Sequence, residues 1–179
     1  MTDPEPQPIH RTDYRPPDYL IDTVDLAFNL GETKTRVTSH LTARRNHDGN
    51  RPLILDGVDL HLISLRVNGE ILDDDSYQVN DESLTIPDLP STFTLDVETE
   101  IKPQNNTSLE GLYKSSGTFC TQCEAEGFRK ITYYLDRPDV MARFSTTITA
   151  DKTRYPVLLS NGNRVSREDL DDGRHRTRW

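Results

Sequence analysis

The stretch YLIDTVDLAFNL, residues 19–30, alternates apolar and polar side chains and predicts a half-buried β-strand. Its inward-facing side chains should share one parity, which gives the set Leu20, Val24, Leu26, Phe28 and Leu30. Residues 33–46, TKTRVTSHLTARRN, repeat the pattern, with an inward set of Thr35, Val37, Ser39, Leu41 and Ala43. Because Gly31 supplies a turn between the two segments, they are predicted to form a hairpin.

Further strand patterns follow along most of the chain, at 51–57, 60–72, 83–89 and 93–103, the last with an inward set of Phe93, Leu95, Val97 and Ile101. Asn68-Gly69 is a strong signal for a short hairpin within the second of these segments. Strands that recur at short intervals with turn residues between them favour an all-β antiparallel sandwich over βαβ units. The sequence allows at most one short helical turn, in DRPDVMAR (136–143), where Pro138 and Asp139 are suited to open a helix.

Composition excludes several classes of function. With 179 residues, the chain is long enough for one domain with a core. Its net charge of -9 and pI near 5.0 disfavour binding to nucleic acid or to an anionic membrane. No segment approaches the roughly 20 apolar residues of a membrane span. The start of the chain also lacks the apolar stretch of a signal peptide, so a cytoplasmic location is expected, or else export by a route that this sequence does not show.

The two ends of the chain differ from its middle. Residues 1–17 carry five prolines and are predicted to form a flexible arm, which leaves 18–179 as the β-domain. The final segment, GRHRTRW (173–179), alternates like a strand, with His175, Thr177 and Trp179 on one side. Because it stops within that pattern, we expect a domain cut before its last strand, with unpaired backbone groups beside Trp179.

One stretch carries chemistry that a scaffold does not need: CTQCEAEGFRKITYYLDRP, residues 120–138. Cys120 and Cys123 have the spacing of half a structural zinc site, yet there is no second cysteine pair and the five histidines are scattered. A redox-active cysteine pair of this spacing typically lies in a βαβ unit, and the strand pattern does not predict such a unit. The residues therefore favour two ordinary thiols near a loop.

The carboxylates of this stretch are a weak active site when taken alone. Glu124 and Glu126 stand at i,i+2 and, in an extended segment, would share one face with Gln122. Such a face can present hydrogen-bond acceptors to a cationic group. In a chain of this net charge, a solvated acidic edge is the competing interpretation.

At these residues the sequence resembles a known family. The segment TQCEAEGFR (121–129), followed by YLDRPD (134–139), is similar to the bacterial aminopeptidase N family of zinc metallopeptidases. The opening strand from His10 to Leu30 resembles that family as well. The resemblance covers nearly the whole chain, but only the N-terminal domain of much longer enzymes.

The resemblance implies a saddle-like all-β domain that packs on a thermolysin-like catalytic domain of the same polypeptide. It places the substrate-anchoring glutamate of the family on Glu124 and its neighbouring glutamine on Gln122. These residues would hold the free α-amino group of a peptide substrate, so that the full-length enzyme removes N-terminal amino acids.

The catalytic parts of the family are missing from this sequence. The H-E-x-x-H helix, the third zinc ligand and the G-A-M-E-N motif are absent, so zinc is expected in the full-length enzyme but not in this chain, which is predicted to be inactive alone. The alternative is a free-standing β-sandwich that acts as an interaction or carbohydrate-binding module. A reading frame that continues past Trp179 into an H-E-x-x-H domain would decide between them.

Overall fold

The computed structural model describes residues 10–179 and shows the predicted all-β fold. Strands hold 47% of the described residues and 3₁₀ turns hold 7%. Within 10–179 there is no α-helix, and none of the helical turns is long or apolar enough to cross a membrane. Residues 1–9 of the predicted arm lie outside the described residues. Residues 10–17 include a 3₁₀ turn at Arg11–Asp13, and the carbonyl of Pro17 accepts a hydrogen bond of 2.9 Å from Asn46.

Thirteen strands are described, and most of them belong to one large sheet. Their bounds are β1 Tyr19–Asn29, β2 Thr35–Arg45, β3 Leu53–Asp56, β4 His61–Val67, β5 Glu70–Ile71, β6 Gln78–Val79, β7 Ser83–Ile86, β8 Thr92–Ile101, β9 Gly111–Ser115, β10 Thr118–Gln122, β11 Arg143–Asp151, β12 Ser166–Asp169 and β13 Arg174–Arg178. The large sheet has the order β12-β13-β11-β1-β2-β8-β4-β5. A small sheet has the order β3-β7-β6, and β9 pairs with β10 as a separate hairpin.

The core lies between one face of the large sheet and the small sheet. The predicted inward sets of β2 and β8 are buried, and they meet the apolar side chains of β3 and β7 in one hydrophobic cluster. This burial is the main favourable contribution to the stability of such a sandwich.

A β-bulge in β1 corrects the predicted parity of that strand. Ile21 pairs with Ala43 and Thr23 pairs with Thr42, so Asp22 has no partner of its own in β2. Tyr19 and Ile21 are therefore the buried residues before the bulge, whereas Leu20, which we expected inside, is only half-buried. After the bulge, the predicted residues Val24, Leu26 and Phe28 are buried. An extra residue in one strand exchanges its faces, because side chains alternate with period two.

Two strand pairings differ from the sequence-based expectations. One concerns the direction of a strand pair, and the other concerns the edge of the large sheet. β1 pairs with β11 in parallel, from Thr23↔Arg143 to Asn29↔Thr149. The prediction that the final strand has an unpaired edge is wrong, because β13 lies between β11 and β12. The ladder continues to the last residue, where the Trp179 N–H donates to the Thr146 carbonyl at 2.8 Å. The edge of the sheet on this side is β12, whose four residues are all exposed.

The predicted helical turn is also misplaced. Residues 136–143 contain a reverse turn at Pro138 and Asp139, closed by the Val140 N–H on the Arg137 carbonyl at 3.2 Å, but no helix. Besides the turn near the start, short 3₁₀ turns occur at Asp74–Ser76, Pro103–Asn105 and Phe128–Lys130. The ion pair of Arg137 with Asp139, at 2.7 Å, is satisfied within the reverse turn and does not require a helix.

Gly57, directly after β3, is expected to be sensitive to substitution. A Cβ atom at this position would lie 2.2 Å from two ring atoms of Tyr133, whose side chain is buried. We therefore expect Gly57→Ala to lower the free energy of unfolding in urea by about 1–3 kcal/mol. In a Tyr133→Leu background the same substitution should cost much less, because the ring that causes the clash is gone. Equal costs in the two backgrounds would contradict this steric explanation.

Candidate functional site

The predicted site residues lie where the β9–β10 hairpin runs into a tight turn. β10 ends at Gln122, and residues 124–127 form a turn that the Gly127 N–H closes on the Cys123 carbonyl at 2.9 Å. The 3₁₀ turn Phe128–Lys130 follows at once. Both Gln122 and Glu124 are exposed.

Because of this turn, the expected extended arrangement of three polar side chains is wrong. Gln122, Glu124 and Glu126 do not share a face by alternation, since the strand stops at Gln122 and Glu126 adopts a φ of 74°. Gln122 and Glu124 are nevertheless brought together. The Gln122 amide Nε2 donates to the main-chain carbonyl of Glu124 at 3.1 Å. The side chain of Gln122 thus supports the backbone that carries Glu124.

Two glycines allow the turn to pack directly on the base of the hairpin. A Cβ atom on Gly127 would lie 2.6 Å from the Gln122 carbonyl oxygen. A Cβ atom on Gly111, which has a φ of 69°, would lie 2.7 Å from the Cβ of Lys130. Side chains at either position would push the turn away from the hairpin, so this close contact depends on glycine.

The Arg129 side chain holds the turn to the small sheet. Its Nε donates to the Asp136 carboxylate at 3.1 Å, and the main-chain N–H of Arg129 donates to the same carboxylate at 3.0 Å. The guanidinium also pairs with Glu126 at 3.2 Å and approaches Asp56, at the end of β3, at 3.9 Å. Asp56 in turn accepts the Asp136 N–H at 3.0 Å. Charge-assisted contacts from several directions fix this turn more firmly than one surface ion pair would.

Sequence reasoning missed this network as part of the site. Arg129 and Asp136 lie in the motif itself, where their spacing gave no sign that they contact each other. Asp56 lies about seventy residues earlier, and it is brought close by a bridge between Asp56 and Tyr134. No local pattern of residues identifies a partner that only strand pairing supplies.

The two glutamates of the turn have different surroundings. Glu126 is paired with Arg129, although its side chain is 62% exposed. Among the residues that the structure describes, the Glu124 carboxylate has no hydrogen bond and no ion pair. One turn therefore holds a carboxylate that belongs to the scaffold and another that is free to accept hydrogen bonds from a ligand.

An apolar groove with a volume of about 570 Å³ lies beside the turn. Phe119 of β10 and Cys123, directly after that strand, line the groove together with residues from the segment 155–161. Three of its large apolar lining side chains are exposed: Phe144 at 50%, Val157 at 69% and Leu159 at 72%. Such a cluster of exposed apolar side chains is typical of a surface that another part of a protein covers.

Cys120 and Cys123 both line this groove as free thiols. Burial, with a smaller effect of the Asp136 charge, raises the pKa of Cys123 from its ordinary value of 9.0 to about 11. In the part of the chain from residue 10 onward, no group of three or more His, Cys, Asp or Glu side chains is placed to hold a metal ion. The described residues thus do not fit a zinc site.

The two thiols should differ in reactivity. A pKa two units above the ordinary value lowers the thiolate fraction of Cys123 at pH 8 by about a hundred-fold, and the thiolate is the reactive form. We expect iodoacetamide to modify Cys120 first in the folded chain. The modification rate of Cys123 should rise with pH up to about pH 11. In the urea-denatured chain the two rates should converge. Equal rates in the folded chain at pH 8 would show that Cys123 is not desolvated.

Comparison with known proteins identifies the domain. The family model described as the Peptidase M1 N-terminal domain matches residues 15–179. Aminopeptidase N of Escherichia coli is 52% identical over 175 residues, which is 98% of this chain and 20% of the relative. Aminopeptidase N of Caulobacter vibrioides is 49% identical over 174 residues, which is 97% of this chain and 20% of the relative. The chain therefore spans about a fifth of the length of these curated relatives.

Solved structures agree with this assignment. Legionella pneumophila aminopeptidase A, in complex with aspartic acid, superposes with a TM-score of 0.89 at 35% identity, over 94% of this chain and 20% of that one. An M1 zinc metallopeptidase of Deinococcus radiodurans matches with a TM-score of 0.74 over 90% of this chain and 38% of that one; at 16% identity it supports the fold alone. On the match over residues 15–179 and the identity to these relatives, the chain belongs to the Peptidase M1 N-terminal domain family.

Proposed function

We propose that this chain is the N-terminal domain of a zinc-dependent aminopeptidase that removes N-terminal amino acids from peptides. Family membership and the two relatives called aminopeptidase N support the activity. The observation that carries the role of this domain is the Glu124 carboxylate, which lacks a protein partner among the described residues on a turn that Arg129 holds in place.

In this proposal Glu124 anchors the free α-ammonium group of the substrate. A fixed carboxylate gives a strong charge-assisted hydrogen bond to an ammonium group. An internal peptide bond offers only a neutral N–H and would leave the carboxylate poorly satisfied. Gln122 supports this selection through its hydrogen bond to the Glu124 carbonyl. The domain would thus favour peptides with a free amino terminus.

A catalytic domain of the same polypeptide would hold the metal and perform the chemistry. The described residues offer no fitting ligand set, and the curated relatives are about five times as long as this chain. The exposed side chains of Phe144, Val157 and Leu159 in the apolar groove provide a surface on which such a domain can pack. Docking there would place Glu124 at the boundary between the two domains.

Metal content provides the first test. The 179-residue chain should hold no stoichiometric zinc and should not hydrolyse amino-acid anilides. The intact polypeptide should hold about one zinc ion per chain and lose its activity to a chelator, with recovery when zinc is restored. Tightly bound zinc in the short chain would instead point to Cys120 and Cys123 as ligands.

Paired substitutions in the intact polypeptide test the anchor itself. Glu124→Ala removes the partner of a buried ammonium group, a loss that typically costs about 2–5 kcal/mol. The value of kcat/KM should therefore fall by about thirty-fold to several thousand-fold. The matched control is Glu126→Ala, which removes only an exposed ion pair with Arg129 and should change kcat/KM by about fivefold at most. Equal small effects of the two substitutions would return Glu124 to the role of a solvated surface charge.

A further inference from the structure

The carboxylate of Glu32, in the turn between β1 and β2, accepts two hydrogen bonds and forms one further ion pair with groups from elsewhere in the chain. Tyr155 Oη donates to Glu32 Oε1 at 2.7 Å, and Lys114 Nζ lies 2.9 Å from Oε2. The Arg154 guanidinium also lies 2.9 Å from Oε2. The hydrogen bond from Tyr155, followed by that from Lys114, lowers the pKa of the Glu32 carboxyl.

Lys114 is the member of this group that belongs to the β9–β10 hairpin. Its ammonium nitrogen lies 4.9 Å from the centre of the Phe119 ring and 5.5 Å from that of Tyr155. The two rings contact each other at 5.1 Å between centroids. Only 14% of the Lys114 side chain is exposed, so its charge is far less hydrated than that of an ordinary surface lysine.

The partners of Lys114 are fixed to the large sheet. The main-chain carbonyl of Tyr155 accepts a hydrogen bond from the buried His175 ring at 2.7 Å, and its N–H donates to the Asp151 carbonyl at 2.9 Å. Glu32 lies two residues beyond Leu30, whose N–H donates to the Thr149 carbonyl at 2.9 Å. The hairpin, in contrast, pairs with neither of the two larger sheets.

We propose that Glu32 is a positioning residue: its carboxylate latches the β9–β10 hairpin to the large sheet and thereby sets the position of Gln122 and Glu124. Lys114 pairs with Phe119, and Gln122 lies three residues further along β10, about 10 Å away. The Arg129 network fixes the turn at the base of the hairpin, and the Glu32 latch fixes its other half. The effect on substrate binding rests on the proposed function of Glu124.

Hydrogen exchange in the 179-residue chain tests the latch directly. Glu32→Gln keeps the shape of the side chain and removes its charge, so amide exchange over residues 113–121 should accelerate by about tenfold. Tyr155→Phe removes one donor and keeps the ring, and should act in the same direction. Lys114→Met should repeat the effect of Glu32→Gln, whereas Lys114→Arg, which keeps the cation, should restore most of the protection.

The control is Asp169→Asn. It removes a carboxylate from the exposed ion pair between Lys152 and Asp169 on β12, and it should leave exchange in the hairpin unchanged. In the intact polypeptide, Glu32→Gln should raise KM for aminoacyl substrates by about three- to tenfold, with a smaller change in kcat, because it displaces the anchor and leaves the metal centre in place.

The outcomes separate the latch from the proposed function. Unchanged exchange over 113–121 in Glu32→Gln overturns the latch, whatever the enzyme does. Faster exchange with an unchanged KM, in an enzyme that Glu124→Ala impairs, overturns the positioning role and leaves the anchoring role of Glu124 standing. If Glu124→Ala has no effect, the proposed function fails and, with it, the effect of the latch on substrate.

Discussion

The contacts of Arg129 are the constraint on which the candidate site depends. A guanidinium can donate in several directions within one plane, and here it joins Asp136, Asp56 and Glu126. These carboxylates come from different parts of the chain, so the network forms only after β3 has paired with residues around Tyr134. The position of Glu124 is therefore a consequence of the tertiary fold, because an isolated turn of this sequence would lack two of the three partners.

Period-two alternation predicted the buried face of some of the regular strands correctly. β2 and β8 bury the residues expected from their sequences, and both lie inside the large sheet. The prediction was wrong at Leu20 because the unpaired Asp22 exchanges the faces of β1, and nothing in the local pattern marks that residue as a bulge. The parallel pairing of β1 with β11 was missed for a related reason: alternation tells which face is buried but not which strand lies alongside.

The candidate site was likewise predicted only in part. The resemblance selected Gln122 and Glu124, and the structure places them at the end of β10 and in the turn that follows. Alternation then assigned Glu126 to the same face, an error that arose because the strand ends earlier than expected. Asp56 and Glu32 lie about seventy and ninety residues before that turn, so only the structure reveals that Asp56 approaches Arg129 and that Glu32 contacts Lys114 in the hairpin.

Contacts on both sides of the turn explain how an exposed carboxylate can still have a fixed position. A side chain that selects a ligand has to stay accessible, so it cannot be fixed by burial of its own atoms. In this domain the backbone beneath Glu124 is fixed instead: Arg129 holds one side of the turn, and glycines at 111 and 127 allow the hairpin to support the other. Glu126 neutralises part of the Arg129 charge within the turn. The negative charge of Glu124 thus remains available for a partner from outside this domain.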